Sequence, residues 1–265
     1  PVVRSIADPL VHFFPVFIFL ECLKHKPKVI FTGEMGVRTI FTIFAAKIIK
    51  ARVFMLSEVT FATEYKTGNI KLFARKFICK HIDMGLAFGK SSFEYLSYLG
   101  LDKNKITISS EGVDNDYYSV KIKEQDKTIN RAKMSLEKDS FVFLYVGQFI
   151  YRKGLDLLIK AFKALNEEIQ RKISFVLVGG TEKELYKLVG DFNHEKIRVV
   201  NFKQTDELIP YYSMADCFIL PSRYDAWGMV VNEALACGIP VIVSQYAGCA
   251  NVLIENNIYG YADSA

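Results

Sequence analysis

Two short segments in the second half of the chain contain the residues whose types and spacing suit chemistry. The first, GQFIYRKG, follows an apolar run and carries Arg152 and Lys153 in a turn bounded by Gly147 and Gly154. Ligands of open parallel sheets bind beyond the carboxyl ends of the strands. There, lysine offers a compact charge to a diphosphate, and glycine lets backbone N–H groups approach it. The segment favours a phosphate site, with capping and surface solubility as the alternative, and it fits neither the dinucleotide fingerprint nor the Walker loop.

The second segment, LPSRYDAWGMVVNEALACGIP, begins at Leu220. It predicts a strand end, a loop with Asp225 and a helix that starts near Gly228. The N-terminus of such a helix offers free N–H groups and the positive end of the helix dipole to a diphosphate. Glu233 lies about five residues inside the helix, or roughly 7.5 Å along its axis. Its carboxylate therefore suits a ribose, and the carboxylate of Asp225 suits the hydroxyl groups of a sugar.

Each of these two acids has a structural alternative. Asp225 is of a residue type that caps helices well, and Glu233 can be a surface residue. Apolar residues nevertheless surround Glu233 on a helix that the sequence buries on most sides. A charge at such a position needs a partner or a ligand.

Short apolar strands alternate with helical patterns along the chain, which is typical of a parallel sheet covered by helices. We predict strands at 29–32, 52–56, 84–88 and 106–109, and then at 141–147, 173–180, 197–202, 217–221 and 240–244. We predict helices at 38–49, 65–80, 91–99 and from 155 to about 168. The predicted fold is α/β, with two Rossmann-like domains in tandem, the first lacking its opening strand and helix.

A polar and charged stretch from Tyr118 to Asp139 separates the two halves. We place an N-terminal domain at 1–118, a linker region at 119–139 and a C-terminal domain at 140–265. Neither Pro1 nor Ala265 has the character of a natural terminus, so we expect a fragment, with the first domain incomplete at its start and the second at its end.

The composition, 51% hydrophobic and 24% charged, is that of an ordered globular protein. Five cysteines without C-x-x-C spacing lie mostly in apolar runs, which indicates reduced, buried thiols and a cytosolic location. The apolar stretch Leu10–Cys22 is shorter than the roughly 20 residues of a spanning helix. We predict a buried helix or a membrane-adjacent segment there, and no signal peptide.

The formal charge of +5 falls in residues 1–120, which hold 16 Lys and Arg against 11 Asp and Glu. Part of this excess lies at 71–80, where basic residues recur beside apolar ones. They are Lys71, Arg75, Lys76 and Lys80. This amphipathic pattern predicts docking on an anionic membrane surface, with a solvated helix face as the alternative. Nucleic acid is not an expected partner, because no basic cluster is interleaved with aromatic residues.

Most of the chain resembles a known family. The stretches VGQFIYRKGLDLLIKAF and YYSMADCFILPSRYDAWGMVVNEALACGIPVIVSQYAGCANVLIENNIYGY resemble the donor domain of retaining GT-B glycosyltransferases of family 4, the glycosyl transferases group 1. LDKNKITISSEGVDNDYY resembles the family's crossover between domains. The resemblance implies two parallel sheets facing across a cleft. It also implies retaining transfer from a nucleoside-diphosphate sugar to an acceptor hydroxyl, in cell-envelope, capsular or lipopolysaccharide-type polysaccharide synthesis.

The resemblance assigns roles to individual residues. The family's paired acids, eight positions apart, fall on Asp225 for the donor sugar and Glu233 for the ribose, and Lys153 matches its phosphate-binding lysine. The N–H groups of Gly228 and Met229 would face the diphosphate, whose leaving oxygen would help to take the acceptor proton. The expected catalytic residues are Asp225, Glu233 and Lys153, and the donor-binding set is Gly147, Arg152, Lys153, Asp225, Gly228, Met229 and Glu233.

Three positions depart from the family pattern. The family usually has Glu where this chain has Asp225, which leaves the donor sugar open. It often has Arg where this chain has Gln148, so Arg152 is a candidate for the missing charge. Many relatives place a His in the first-domain loop that reads LSEV here, which makes Glu58 the candidate contact on the acceptor side, with a solvated carboxylate as the alternative.

No cofactor and no metal are expected, since the His and Cys residues lack ligand spacing. The expected partners are a nucleotide-sugar donor and a carbohydrate or lipid-linked acceptor. The expected location is cytoplasmic, or peripheral on the inner face of the plasma membrane. Two alternatives remain: a nucleotide-sugar-binding GT-B protein without turnover, and a GT-B sugar-nucleotide epimerase.

Overall fold

The structure, a computed structural model, describes residues 15–64, 67–193, 195–254 and 260–263. It divides into two compact units, Pro1–Ser109 and Ser110–Ala265. This division lies nine residues before the end predicted for the first domain at 118, so the segment predicted as a linker belongs to the second unit.

The first unit contains a parallel sheet of four strands among its described residues, in the order β1-β2-β3-β4. The strands are β1 (Val29–Thr32), β2 (Arg52–Ser57), β3 (Met84–Phe88) and β4 (Ile106–Ser109). The helices are α1 (Pro15–His25), α2 (Val37–Ile49), α3 (Asn69–His81) and α4 (Lys90–Tyr98). Ile43, Met55, Ile78 and Leu96 are fully buried between sheet and helices. The α/β alternation predicted for this half is confirmed.

The basic pattern at 71–80 lies on α3, but Arg75 does not belong to its exposed face. Arg75 is only 4% exposed and binds Glu64 at 2.6 Å and the hydroxyl of Tyr95 at 3.0 Å. The prediction of four surface cations was wrong at this position, because a nearby carboxylate makes an inward guanidinium favourable. Lys71, Lys76 and Lys80 are exposed.

The described part of the apolar stretch Leu10–Cys22 is helical, since α1 begins at Pro15. Val16, Phe17 and Leu20 are exposed, so this helix is not buried on all sides. Among the residues that the structure describes, no helix is long and apolar enough to cross a membrane.

The second unit has a parallel sheet in the order β10-β9-β8-β5-β6-β7. Its strands are β5 (Phe141–Val146), β6 (Ile173–Val178), β7 (Ile197–Val200), β8 (Cys217–Leu220), β9 (Val241–Ser244) and β10 (Gly260–Asp263). The chain runs from β5 outward to β7, returns to β8 beside β5 and then continues in the opposite direction. The carboxyl ends of β5 and β8 therefore form a topological switch point, where open α/β sheets bind ligands.

The helices of the second unit are α5 (Asn115–Lys123), α6 (Lys127–Lys133), α7 (Leu155–Ala164), α8 (Glu167–Lys172), α9 (Glu182–Val189), α10 (Thr205–Met214), α11 (Met229–Ala236) and α12 (Ala250–Leu253). The helix predicted from 155 to about 168 is two helices, because Leu165 is extended and the side chain of Asn166 caps a new helix. The helix predicted near Gly228 is confirmed as α11.

The segment 119–139 contains the end of α5 and all of α6. Asp126 caps α6 by accepting from the N–H of Ile129 at 3.0 Å. Lys127 and Arg131 of the same helix bind the carboxylate of Asp216 at 2.7 and 2.5 Å. These ion pairs attach α6 to the start of β8.

The cysteines are unpaired, as predicted. All five are free thiols, four of them are buried, and Cys22 is partly exposed. Burial raises the pKa of the Cys79 and Cys237 thiols to about 12.

Candidate functional site

The two segments that the sequence marks for chemistry meet at the switch point of the second sheet. Strand β5 pairs with β8, with Phe143 opposite Cys217 and Leu144 opposite Phe218. GQFIYRKG follows β5, and the loop with Asp225 follows β8. The two loops therefore leave neighbouring strands at the same edge of the sheet.

Gly154 allows the two loops to touch through their backbones. Its φ of +72° is left-handed, and a Cβ atom at this position would lie 1.9 Å from the carbonyl oxygen of Pro221. Next to this contact, the N–H of Arg223 donates to the carbonyl of Arg152 at 2.9 Å. Only glycine fits a left-handed turn at so close an approach.

The close approach brings Arg152 and Lys153 onto Asp225. Arg152 Nη1 donates to Asp225 Oδ1 at 3.0 Å, and Lys153 Nζ donates to Asp225 Oδ2. The hydroxyl of Ser222 lies 3.5 Å from the same Oδ2. The side chain of Asp225 is 9% exposed and that of Lys153 is 12% exposed. Three of the predicted site residues thus form one cluster, the Asp225 cluster, in which both carboxylate oxygens accept from cations.

A second ion pair fastens the same two loops, and the sequence analysis missed it. Arg223 donates both terminal nitrogens to Asp156, each at 2.7 Å, and its guanidinium lies 3.8 Å from the ring centroid of Tyr151. Hydrogen bonding by Arg223 lowers the pKa of the Asp156 carboxyl. The sequence offered two signals for this pair. Arg223 comes shortly after the strand that ends at Leu220, and Asp156 comes shortly after the turn that ends at Gly154.

Gly228 and Met229 lie where α11 begins. Gly228 has a φ of +101°, and a Cβ atom there would lie 3.1 Å from the side chain of Leu220. The first N–H groups of an α-helix form the positive end of its dipole, and in α11 the N–H of Val231 donates to the carbonyl of Gly228 at 2.9 Å. The buried indole of Trp227 steadies this turn by donating to Asn232 Oδ1 at 2.8 Å.

Glu233 is half-buried on α11 and is held by two tyrosines. The hydroxyl of the fully buried Tyr212 donates to Glu233 Oε2 at 2.6 Å, and the hydroxyl of Tyr118 also bonds to this carboxylate. Burial raises the pKa of Glu233, and the hydrogen bonds from Tyr212 and then Tyr118 act against this rise. The sequence predicts that a charge at Glu233 needs a partner or a ligand, and the structure provides two neutral hydroxyl donors. Tyr212 lies in YYSMAD and was not singled out.

The remaining predicted residues lie apart from these contacts. Gly147 follows the last residue of β5, and its carbonyl oxygen would be 2.4 Å from a Cβ atom at Gly179. Gln148 is exposed, and its carbonyl accepts from the hydroxyl of Tyr145 at 2.9 Å. Glu58 is exposed after β2 in the first unit. Within the described ranges, no group of three or more His, Cys, Asp or Glu residues is arranged to hold a metal ion.

Residues 126–262, just over half of the chain, match the sequence model of the glycosyl transferases group 1. The chain belongs to this family. The matched region of this group 1 chain contains the Asp225 cluster, the start of α11 and Glu233.

Relatives of known sequence agree with this membership. The group 1 chain is 26% identical over 171 residues to an uncharacterized glycosyltransferase of Methanocaldococcus jannaschii, covering 63% of this chain and 44% of the relative. It is 24% identical over 249 residues to a sulfoquinovosyl transferase of Arabidopsis thaliana, covering 90% of this chain and 47% of the relative. The chain spans less than half the length of these curated relatives.

The fold of this group 1 chain is the GT-B fold of solved glycosyltransferase structures. HepE of Anabaena, crystallised in complex with UDP, matches with a TM-score of 0.76 at 16% identity, covering 97% of this chain and 70% of HepE. HepE has also been crystallised in complex with UDP-glucose, with a TM-score of 0.73.

Proposed function

We propose that this group 1 chain binds the donor in a retaining glycosyltransferase of family 4, which transfers a sugar from a nucleoside-diphosphate sugar to an acceptor hydroxyl. One observation carries the proposal. At the switch point of the second sheet, two cations bind Asp225 in the loop that leads into α11, and a half-buried carboxylate follows on that helix.

The diphosphate is proposed to lie between the cations and the start of α11. Lys153 carries a compact ammonium with three donors, and the first N–H groups of α11, from Met229 onward, add the positive end of a helix dipole. These groups are fixed before any substrate arrives. They would stabilise the charge that develops on the leaving diphosphate, which is usually the largest single contribution to catalysis of this type.

Glu233 is proposed to hold the ribose. A carboxylate has about four acceptor positions, of which Tyr212 and Tyr118 occupy two, so acceptor capacity is left for vicinal hydroxyls. Because its partners here are neutral hydroxyls, Glu233 keeps its charge for charge-assisted hydrogen bonds to a ligand.

In the proposed reaction, a bond from the acceptor to the anomeric carbon replaces the bond from the diphosphate. The acceptor oxygen forms a bond to the anomeric carbon, the bond from that carbon to the phosphate oxygen breaks, and its electron pair leaves with the diphosphate. The leaving oxygen helps to take the acceptor proton, and the anomeric configuration is retained. The crystal structures of HepE with UDP and UDP-glucose make a UDP-sugar the first donor to test.

The acceptor is proposed to be a carbohydrate or lipid-linked saccharide of cell-envelope, capsular or lipopolysaccharide-type synthesis, reached from the cytoplasmic face of the membrane. Ile70 and Phe73 are exposed on α3 beside the exposed Lys71, Lys76 and Lys80, which suits peripheral docking on anionic lipid. Sedimentation with phosphatidylglycerol vesicles, but not with phosphatidylcholine vesicles, is expected. Equal sedimentation with both would contradict the docking.

The function is tested first by thermal unfolding of the full protein with UDP-sugars, GDP-sugars and an adenine dinucleotide. A sugar nucleotide that binds the folded state is expected to raise the Tm by mass action, and the rise should disappear in Glu233→Ala. Product analysis with an acceptor should then show a retained anomeric configuration. Binding without sugar release would indicate a non-catalytic protein, and turnover without any acceptor would indicate an epimerase.

A further inference from the structure

Asn232 joins three segments of the second unit through one side-chain amide. It lies on α11, directly before Glu233. Its Oδ1 accepts from the indole N–H of Trp227 at 2.8 Å, and its Nδ2 donates to the carbonyl of Glu111 at 3.0 Å. Trp227 lies in the loop that leads into α11. Glu111 lies in the crossover, residues 110–114, which runs from the end of β4 to the start of α5.

The two bonds fix the orientation of the Asn232 amide. A side-chain amide has a carbonyl oxygen that accepts and an NH₂ group that donates. An indole N–H only donates, and a backbone carbonyl only accepts. A flipped amide would therefore lose both bonds. Trp227 is buried, so its N–H would then lack an acceptor at a cost in free energy.

Helices α5 and α10 form a fixed support beside α11. The Tyr117 hydroxyl on α5 donates to Asp206 Oδ1 on α10 at 2.5 Å. The rings of Tyr118 and Tyr212 meet edge to face, with centroids 6.4 Å apart, and both side chains are buried. The hydroxyls of these two tyrosines are the ones that bond to Glu233.

The bond from Asn232 to Glu111 attaches α11 to the same support. Consecutive residues of an α-helix point about 100° apart around its axis, so holding one residue fixes the direction of the next. Asn232 reaches the crossover, and Glu233 reaches Tyr118 on the helix that follows the crossover. A rotation of α11 that moved Glu233 away from the tyrosines would also break the bond between Asn232 and Glu111.

We propose that Asn232 is a positioning residue, which sets the rotation of α11 against the crossover so that the Glu233 carboxylate meets both tyrosines and the ribose. This inference rests on the proposed function, in which Glu233 holds the ribose, and it deepens that function. It makes the crossover, which begins at the boundary between the two units, a part of the ribose site.

The test compares the binding of UDP and 2′,3′-dideoxy-UDP to the full protein by titration calorimetry. GDP and its dideoxy analogue replace them if the wild type binds only guanine nucleotides. The wild type should prefer the nucleotide with both hydroxyls, because only these can bond to Glu233. Asn232→Leu has a similar volume and removes both amide bonds. The preference should fall by about fivefold, as for one hydrogen bond, and dideoxy-UDP should bind within about twofold of the wild type.

A double-variant cycle tests whether Asn232 acts through Glu233. In a Glu233→Ala background, Asn232→Leu should change UDP binding by less than about twofold. Asn232→Asp keeps the acceptor for Trp227 and loses the donor to Glu111, so the preference should fall as it does in Asn232→Leu. The aspartate variant also answers the question if Asn232→Leu does not fold. Thermal unfolding curves establish that each variant is folded.

Asn104→Leu is the matched control. It makes the same exchange at an exposed position before β4, and the preference should stay unchanged. An equal loss for UDP and dideoxy-UDP in Asn232→Leu would overturn the inference, because Asn232 would then act on the start of α11 and not on Glu233. An undiminished effect in the Glu233→Ala background would overturn it as well. A folded wild type that binds neither nucleotide pair would instead overturn the proposed function.

Discussion

Two carboxylates eight positions apart have opposite surroundings in this molecule. Asp225 lies between Arg152 and Lys153, in a loop whose backbone is bonded on both sides. Glu233 lies on α11 between two tyrosine hydroxyls, where burial raises its pKa. Similar residue types in one segment therefore have different physical roles.

The difference shows that one site can have cations at one end and an available negative charge at the other. Where cations bind a carboxylate, as at Asp225, they neutralise its charge. Where neutral donors support a carboxylate, the negative charge itself is available to hydroxyl groups of the ligand. The Asp225 cluster suits a diphosphate, and the surroundings of Glu233 suit a ribose.

The largest expected effect is that of Lys153→Ala on turnover. If Lys153 stabilises the leaving diphosphate, its removal should lower kcat/KM for the donor by about 100- to 1000-fold, as removal of one fixed electrostatic group does in other enzymes. Release of nucleoside diphosphate measures this. Lys160→Ala, an exposed lysine on α7, is the control and should have wild-type activity. Full activity of Lys153→Ala would show that the Asp225 cluster takes no part in the reaction.

The next largest effect is expected on stability, from Gly154→Ala. A Cβ atom would overlap the carbonyl of Pro221, so this change should lower the free energy of unfolding by about 3 kcal/mol or more. Gly238→Ala is closely matched, since Gly238 ends a helix with a φ of +74° and has nothing within 4 Å of the added atom. It should lose only the about 1–2 kcal/mol of left-handed strain. Equal urea midpoints for the two variants would show that the contact between loops contributes nothing.

Glu233→Ala tests the other carboxylate. Loss of a charged acceptor for the ribose should weaken UDP binding by about 10- to 100-fold. With 2′-deoxy-UDP or 3′-deoxy-UDP the effect should shrink, because the missing hydroxyl cannot bond to Glu233 in either protein. Glu168→Ala, an exposed acid on α8, is the control. An equal loss for UDP and both deoxy analogues would place the ribose elsewhere.

The smallest effect is a shift in pH dependence in Tyr212→Phe. The Tyr212 hydroxyl stabilises the Glu233 carboxylate, so its removal raises the Glu233 pKa further. Binding through the carboxylate is lost as pH falls through this pKa, and the loss should therefore occur at a higher pH than in the wild type. Tyr211→Phe, the preceding residue, should leave the profile unchanged. If the pH dependence of binding is the same in Tyr212→Phe and the wild type, the Tyr212 hydroxyl does not affect ligand binding through Glu233.

Elements set by local apolar runs were predictable from the sequence. Strand β3 was predicted with its observed bounds, because Met84–Phe88 is an apolar run that ends at a glycine. Helices α5 and α6 were not predicted as helices. Asp114 and Asp126 cap them, and α6 docks on Asp216, so polar contacts replace the apolar periodicity that identifies most helices.

The contact of Asp225 with Arg152 and Lys153 could not be predicted from the sequence, for a different reason. Asp225, Arg152 and Lys153 were each marked by type and position. Their contact depends on β8 returning to the side of β5 and on Gly154 touching Pro221, and neither follows from local pattern. Tyr212 was missed because its hydroxyl matters only once α10 packs near α11.

A crystal structure of the full protein with the nucleoside diphosphate of its donor would test the proposed donor site. We expect phosphate oxygens about 3 Å from Lys153 Nζ and from the N–H of Met229, with ribose hydroxyls about 3 Å from the Glu233 carboxylate. Asp225 should remain bonded to Arg152 and Lys153. A nucleotide bound away from the switch point, or a ribose out of reach of Glu233, would contradict it.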